Sequence, residues 1–284
     1  MANLNVWKLI ILPNQVDLEP VVLPAGVQTL DSASTCLPGG AYTTLRTFAG
    51  KKALRFSDHI RRLEETAQLA GQPHPLDERG IRIGVRALLI DKPRDLDFRF
   101  RITLDLECTP GDIYLAVEPL VTPPPEAYKA GVRVITCDLQ RQLPKAKLTR
   151  FIQRSAPLRS NLPPDVNEAV MLDTHGRFQE GLSSNFFAVM AGMVWTAEQD
   201  VLAGITRSLV IEAARKTGLP LNLEPPRLAD LPAFDEAFIT SSSRGVLPVR
   251  QVGETIIGAV CPGPITRTLM LAYESAIDEL TEPI

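Results

Sequence analysis

Three short stretches of the sequence contain residue types that could carry out chemistry together. Lys147, in Pro144-Lys145-Ala146-Lys147, offers an amine, and an unprotonated amine can attack an aldehyde. Glu180, followed by Gly181, offers a carboxylate. Gly204-Ile205-Thr206-Arg207 stands at the start of a predicted helix, where unpaired amides and the helix dipole favour a phosphate. The three stretches supply an amine, an acid and an anion-binding site, and no one of them alone identifies the chemistry.

Each of these residues also has an ordinary structural explanation. Most lysines are solvated surface groups, and Lys145 is near enough to be the reactive amine instead. A Glu-Gly pair is typical of a hairpin turn, and Thr206 could simply cap its own helix. The order of further motifs along the chain is what favours the chemical interpretation.

That order resembles the fold-type IV pyridoxal phosphate family, which includes branched-chain aminotransferases, D-amino-acid aminotransferases and aminodeoxychorismate lyases. The resemblance implies an α+β enzyme in which a small sheet-and-helix domain precedes a larger, strand-rich, barrel-like domain. The block from Glu168 to Arg207 is highly specific, whereas the N-terminal match is loose. The matching stretches are Gly40-Ala41-Tyr42-Thr43-Thr44-Leu45-Arg46, His59-Ile60-Arg61-Arg62-Leu63, Lys147, Glu168 through Asn185, and Gly204-Ile205-Thr206-Arg207.

The resemblance also implies a cofactor, pyridoxal 5'-phosphate, and a role for each matching residue. Lys147 would form the Schiff base and then move the substrate proton. Glu180 would keep the pyridine nitrogen protonated, so that the ring accepts electrons. The residues implied to bind the cofactor at its ring or phosphate are Arg62, Glu180, Ser184, Asn185, Ile205, Thr206, Ser241 and Ser242.

The chain departs from the family's pattern at the positions that would contact substrate. Many members show Asn-Tyr where this chain has Arg150-Phe151, so a phenol and an amide are missing. Neither the Arg-x-His pair of the D-amino-acid enzymes nor the Gly-Arg-Gly-rich loop of the lyases is present. An arginine-lined sheet face is often simply solvated. The candidates for holding a substrate carboxylate are Arg46, Arg99, Arg101 and Arg150.

Composition favours small-molecule partners. The net charge is −3, and the basic residues form no long stripe along the sequence. Binding to nucleic acid or to an anionic membrane therefore has no electrostatic basis. The four cysteines lack C-x-x-C spacing, and the three histidines complete no metal site with them. The apolar run Val6 to Leu12 is too short for a membrane span or signal peptide. We expect a cytoplasmic protein with reduced thiols and no metal.

Hydrophobic periodicity predicts the elements that must position these residues. Period-two alternation from Phe98 to Leu106 predicts a half-buried strand, and the run from Phe186 to Trp195 predicts two buried strands around Gly192. The prolines at 123–125 cannot join a ladder and predict a linker at 121–128, between an N-terminal domain at 1–120 and a cofactor-binding domain at 129–284. Helices are predicted from Ser57 or Asp58 to Gly71, from Asp77 to Leu89, from Arg207 to Thr217 and from Ile265 to Leu280.

The leading hypothesis is an aminotransferase that moves an amino group between an amino acid and a 2-oxo acid. The first alternative is a lyase that expels pyruvate from an aminodeoxychorismate-like substrate. The second is a catalytically silent member that binds the cofactor or a partner protein. The resemblance implies a homodimer.

Overall fold

The computed structural model describes residues 4–93 and 95–284, and the chain divides into two compact units. The first unit runs to Val121 and also contains Ala146–Arg154 and Leu280–Ile284. The second contains Thr122–Lys145 and Ser155–Glu279. The change of unit at Val121 lies at the start of the predicted linker. Ala146–Arg154 and Leu280–Ile284 belong to the first unit, although both lie within 129–284, the predicted cofactor-binding domain.

The strands are short, and most are antiparallel to their neighbours. In chain order they are β1 (Asn5–Leu12), β2 (Gln15–Pro20), β3 (Gly40–Phe48), β4 (Lys52–Leu54), β5 (Phe98–Asp105), β6 (Ile113–Pro119), β7 (Val132–Cys137), β8 (Val166–Leu172), β9 (Phe178–Gly181), β10 (Asn185–Met190), β11 (Met193–Trp195), β12 (Leu221–Asn222), β13 (Glu236–Ser241), β14 (Gly245–Val252), β15 (Thr255–Ile256) and β16 (Thr281–Pro283).

Helices are interspersed between these strands. They are α1 (Leu30–Ala33), α2 (Phe56–Leu69), α3 (Glu78–Leu89), α4 (Pro125–Ala130), α5 (Thr149–Ser160), α6 (Ile205–Lys216) and α7 (Pro264–Leu280), with a 3-10 helix at Leu228–Ala233. The four predicted helices are all present, as α2, α3, α6 and α7. In the described residues no helix is both long and apolar enough to cross a membrane.

The first unit is built on one antiparallel sheet, in the order β16-β4-β3-β5-β6-β1-β2. The alternation predicted for β5 is present, since Phe98, Phe100, Ile102 and Leu104 all belong to the hydrophobic core. Residues of α2 and α3 belong to the same core. Because successive residues of a strand point to opposite faces, the apolar half of β5 faces these helices.

The other face of this sheet is also covered. Val21, Leu30 and Leu37, from the segment that includes α1, pack with Val6 in a separate apolar cluster. Arg101 on this face is buried, and its Nη1 donates to the Leu30 carbonyl oxygen and to a serine hydroxyl. The alternative of a simply solvated arginine face is therefore wrong for Arg101, because a mostly irregular segment folds over it.

Helix α2 begins differently from the prediction. It starts at Phe56, and Arg55 takes the N-cap position in a left-handed conformation without a side-chain cap. Ser57 and Asp58 lie inside the first turn, so the predicted cap is wrong. The amide of Phe56 instead donates to Glu282 Oε1 at 2.9 Å, and β16, which holds Glu282, pairs with β4. A carboxylate distant in the chain thus takes the place of a local cap.

The second unit is built on a closed barrel. Six strands follow the order β10-β13-β14-β7-β8-β9, and β9 pairs again with β10, which closes the ring. Phe178, Phe186 and Phe234 pack in its apolar core, with the first two rings stacked at a centroid distance of 4.8 Å. The predicted class, α+β with a strand-rich, barrel-like second half, is confirmed.

Three helices, α1, α4 and α5, were not predicted. Helix α4 begins at Pro125, a residue well suited to the first helical position because its missing amide would be unpaired there anyway. Helix α5 contains Pro157, which hides the helix from a search by propensity. Helix α4 overlaps the linker predicted at 121–128, and α5 begins two residues after Lys147.

Candidate active site

Lys147 is held by backbone contacts on both sides of its side chain. Its carbonyl oxygen accepts from the amide of Tyr42 at 2.9 Å, and its amide donates to Thr66 Oγ1 at 3.2 Å. Leu148 forms a bridge with Ala41 at the edge of β3. The amine Nζ lies 4.7 Å from the centroid of the Tyr42 ring. Lys145, the rival lysine, is exposed.

Arg62 lies in a buried polar cluster of the first unit. Its Nη2 donates to Thr43 Oγ1 at 2.7 Å, and Thr43 Oγ1 lies 2.7 Å from His59 Nδ1. Since Arg62 donates to the hydroxyl, the hydroxyl can donate in turn to the ring nitrogen. Burial, followed by the positive charges of Arg62 and Lys147, holds the pKa of His59 well below its ordinary value. His59 is therefore a neutral acceptor that orients Thr43 and Arg62.

A buried neutral histidine makes stability depend on pH. Below its ordinary pKa of 6.5, His59 takes up a proton in the unfolded chain and not in the folded one. The free energy of unfolding should therefore decrease as the pH is lowered below about 6.5, by up to about 1.4 kcal/mol per pH unit for this group. Urea unfolding at several pH values measures the slope. The slope should shrink in His59→Gln and persist in His175→Gln, an exposed control; equal slopes in both variants would contradict this account.

Three of the predicted substrate-binding arginines already have carboxylate partners within the first unit. Arg46 Nη2 lies 3.1 Å from Asp97 Oδ2, and Arg101 Nη2 lies 2.7 Å from Asp31 Oδ1. Arg99 Nε donates to Glu118 Oε1 at 2.7 Å. Arg150, the fourth candidate, is exposed. Binding of a substrate carboxylate by any of the four stays a prediction, and for the first three it would compete with these ion pairs.

In the second unit, Glu180 is a buried carboxylate with a buried countercharge. Arg141 Nε donates to Glu180 Oε1 at 2.7 Å, and the two side chains are only 4% and 3% exposed. The Leu202 amide donates to Glu180 Oε2 at 3.3 Å. The pairing of β8 with β9 shifts register between Val170 and Leu172, which places Glu180 on the face opposite the aromatic core. A buried charge needs such partners.

Asn185 connects Glu180 to the start of α6. It is the cross-strand partner of Glu180, and its Nδ2 lies 3.5 Å from Glu180 Oε2 and 2.8 Å from the Leu202 carbonyl oxygen. A Cβ added at Gly204 would clash with Asn185 Oδ1. Gly204 is the N-cap of α6 and makes no side-chain cap. The alternative that Thr206 caps its own helix is wrong, since Thr206 is inside the first turn and buried.

Gly204→Ala should disrupt this arrangement. The methyl group would displace the Asn185 amide and break its bond to Leu202, at a cost of about 1–3 kcal/mol. Thermal unfolding of the purified variant measures the loss. Adding Asn185→Ala removes the clashing atom and should make the Gly204 change nearly neutral. An unchanged melting temperature in Gly204→Ala alone would contradict the close approach.

Ser184 and Ser241 lie in a second polar network. Ser184 Oγ donates to Glu168 Oε2 at 3.1 Å, and Arg244 Nη2 donates to the same oxygen at 2.8 Å. Ser241 Oγ accepts from Arg244 Nε at 3.1 Å. Burial would raise the pKa of Glu168, but the positive charge and hydrogen bond of Arg244 and the Ser183 hydroxyl outweigh it and hold the pKa below its ordinary value. The network joins the loop before β10 to the loop after β13.

Sequence reasoning missed Arg141 and Arg244. Neither belongs to a quoted motif, and their carboxylate partners lie 39 and 76 residues away in the chain. One indication was available. Glu168 and Glu180 lie on buried strands, and a buried carboxylate requires a cationic partner elsewhere in the chain. Within residues 4–93 and 95–284, no cluster of histidine, cysteine, aspartate and glutamate side chains could hold a metal ion.

Comparison with known proteins identifies the family. The model of the amino-transferase class IV family matches residues 40–252. A Methanocaldococcus jannaschii protein, assigned as a branched-chain-amino-acid aminotransferase, is 30% identical over 247 residues, which cover 81% of this chain and 84% of that protein.

Solved structures agree with this assignment. A Thermotoga maritima structure, also assigned as a branched-chain amino acid aminotransferase, has a TM-score of 0.78 at 25% identity and covers 98% of this chain and 97% of its own. The branched-chain amino acid aminotransferase of T.th., solved with pyridoxamine 5'-phosphate, has a TM-score of 0.78 at 20% identity with 98% of each chain covered, which supports the fold.

These matches confirm the family that the order of motifs predicted. They make the chain an enzyme and a transferase, and they favour transamination over the lyase and the silent alternative. The chain belongs to the class IV amino-transferases.

Proposed function

We propose that this aminotransferase uses pyridoxal 5'-phosphate attached to Lys147 and transfers an amino group from an amino acid to a 2-oxo acid. The single observation that supports this most is the buried Arg141–Glu180 pair, connected through Asn185 to the N-terminus of α6. A buried carboxylate paired with an arginine suits a protonated ring nitrogen, and a helix start free of side-chain caps suits a phosphate.

The residues of the second unit fit the cofactor in two further respects. Gly204 leaves room that even a methyl group would fill, and Thr240 is a buried residue whose hydroxyl has no hydrogen-bond partner among the described residues. Glu180 would hold the proton of the ring nitrogen. The amides of Ile205 and Thr206, with Ser241 and Ser242, would bind phosphate oxygens.

The first unit would supply the reactive amine and a cation. Lys147 would form the covalent link and then carry the proton removed from the substrate α-carbon. Arg62, oriented by Thr43 and neutral His59, would bind the phosphate as a guanidinium. The cofactor, when bound, supplies an electron sink for the charge left on that carbon.

Branched-chain amino acids are the first substrates that we propose, because the similar proteins reported above carry that assignment. We also propose a homodimer in the cytoplasm. Light scattering during size-exclusion chromatography tests the homodimer directly.

Borohydride trapping tests the cofactor and the lysine together. Holoenzyme reduced with borohydride and digested should give one peptide that contains Lys147 with the added mass of the reduced cofactor. A labelled peptide containing only Lys145 would overturn the assignment of the lysine.

A second measurement tests the reaction. Bleaching of the holoenzyme's visible absorption by leucine, isoleucine or valine, with release of the 2-oxo acid, is the expected half-reaction. Pyruvate release from an amino-chorismate without any amino acceptor would instead support the lyase.

A further inference from the structure

Thr240, on β13 of the second unit, has a buried hydroxyl group. The residue is 1% exposed, and Oγ1 has no hydrogen-bond partner among the described residues. Burying a hydroxyl without a partner is costly, and most buried polar atoms in folded proteins are paired. A valine of the same shape would avoid the cost. The hydroxyl therefore calls for an explanation outside the protein's own contacts.

Strand register determines which way Thr240 faces. It is the cross-strand partner of Asn185 on β10, and directly opposed residues share a face. Its neighbour Ile239 and the next odd residue Ala237 belong to the aromatic core of the barrel. Thr240 therefore points away from that core, on the face that carries Asn185 and Glu180.

The groups around this face are typical of an anion-binding site. Asn185 Oδ1 abuts Gly204, the N-cap of α6, where the first amides have no acceptor within the helix. Thr240 is followed directly by Ser241, at the end of β13. A hydroxyl between a helix N-terminus and a serine-rich loop can donate to a phosphate oxygen, which is a strong, charge-assisted hydrogen bond.

We propose that the Thr240 hydroxyl is a phosphate ligand of the cofactor and donates to it the hydrogen bond for which residues 4–93 and 95–284 offer no acceptor. This inference rests on the proposed function, because it takes pyridoxal 5'-phosphate as the ligand. It adds a residue that precedes the serines matched by the family motif.

Thr240→Val tests the proposal because its two effects have opposite signs. Affinity for pyridoxal 5'-phosphate, measured by titrating the cofactor-free enzyme, should fall about tenfold or more. The cofactor-free variant should melt no lower than wild type, since an unsatisfied hydroxyl has been removed. Pyridoxal, which lacks the phosphate, should bind wild type and variant equally. Thr240→Ser, which keeps a hydroxyl, should retain most of the affinity.

Thr266→Val is the matched control. Thr266 is also fully buried in the second unit, and its Oγ1 has no hydrogen-bond partner in the part of the chain that the structure describes. It lies in the first turn of α7, and its amide donates to Glu236 Oε2. The Thr266→Val variant should therefore bind pyridoxal 5'-phosphate with the affinity of wild type.

Three outcomes would overturn the proposal. Unchanged affinity for pyridoxal 5'-phosphate in Thr240→Val would assign the hydroxyl to a buried water. An equal loss for pyridoxal would assign it to the ring. A cofactor-free variant that unfolds or melts lower would show that the hydroxyl is paired within the protein. Failure of wild type to bind pyridoxal 5'-phosphate at all would instead refute the proposed function, so the two failures are distinguishable.

Discussion

Replacing Lys147 with alanine is expected to lower the rate of transamination by at least about a thousandfold, the scale seen when a covalent catalytic group is removed. The variant lacks the amine that would attach the cofactor and move the substrate proton. Steady-state assays with a branched-chain amino acid measure the rate, and the visible absorption of the holoenzyme reports the covalent link. Both signals should disappear together, and borohydride should no longer attach the cofactor to the protein.

Two further variants separate chemistry from packing. Lys145→Ala removes an exposed amine two residues away and should behave as wild type in every assay. Lys147→Arg keeps a cation beside the Tyr42 ring but offers no amine for the covalent link, so it should fold normally and remain inactive. Normal turnover in Lys147→Arg, or loss of the covalent link in Lys145→Ala, would contradict the assignment of the reactive lysine.

The sequence allowed prediction of features that depend on local pattern. The strand at Phe98, the turn after Met190 and the helix from Glu78 all follow from periodicity and from residues with special backbone preferences. Asp77 is the N-cap of α3, and its carboxylate accepts a hydrogen bond from the Gly80 amide. Aspartate is among the residues preferred at this position. Helix α6 was predicted to begin at Arg207, and the structure begins it two residues earlier, at Ile205, directly after its N-cap Gly204.

Contacts between residues distant in the chain could not be predicted in this way. The cap of α2 comes from Glu282, and no local signal at Ser57 or Asp58 reveals it. The cover over Arg101 comes from a segment without regular periodicity. Segment 146–154 returns to the first unit through a backbone bridge between Leu148 and Ala41 and through the packing of Ala146 and Leu148 in the core. Such features follow from tertiary packing, which local propensity does not encode.

The same limit applied to the candidate site. The motifs identified Glu180 and Asn185, but the pairing of β9, β10 and β13 that puts them in one row with Thr240 requires the barrel to close. The bulge that turns Glu180 from the aromatic core likewise has no sequence signature. Motif order therefore selected Glu180 and Asn185 as candidates, and only the structure relates them to Arg141 and Thr240.

The Arg141–Glu180 pair gives the second large effect, because one residue is expected to serve both stability and catalysis. Arg141→Gln leaves a buried carboxylate without its cation and should lower the free energy of unfolding by about 3–5 kcal/mol. Glu180→Gln removes the negative charge that Arg141 Nε contacts and should cost a similar amount. It should also reduce kcat about a hundredfold or more, since an amide cannot hold a proton on the ring nitrogen. Arg177→Gln, at the more exposed Arg177–Asp173 pair, should cost less than about 1 kcal/mol.

The double variant separates the two roles of Glu180. Replacing both Arg141 and Glu180 with glutamine removes both buried charges, so the free energy of unfolding should recover most of what either single change loses. The rate should not recover, because the acid that we propose for the ring nitrogen is still absent. Urea unfolding and kcat are measured on wild type, the two single variants and the double variant. These values give one double-mutant cycle for stability and one for the rate. If kcat recovers together with stability, Glu180 acts only through folding; if stability recovers alone, the carboxylate has a chemical role that its partner arginine does not share.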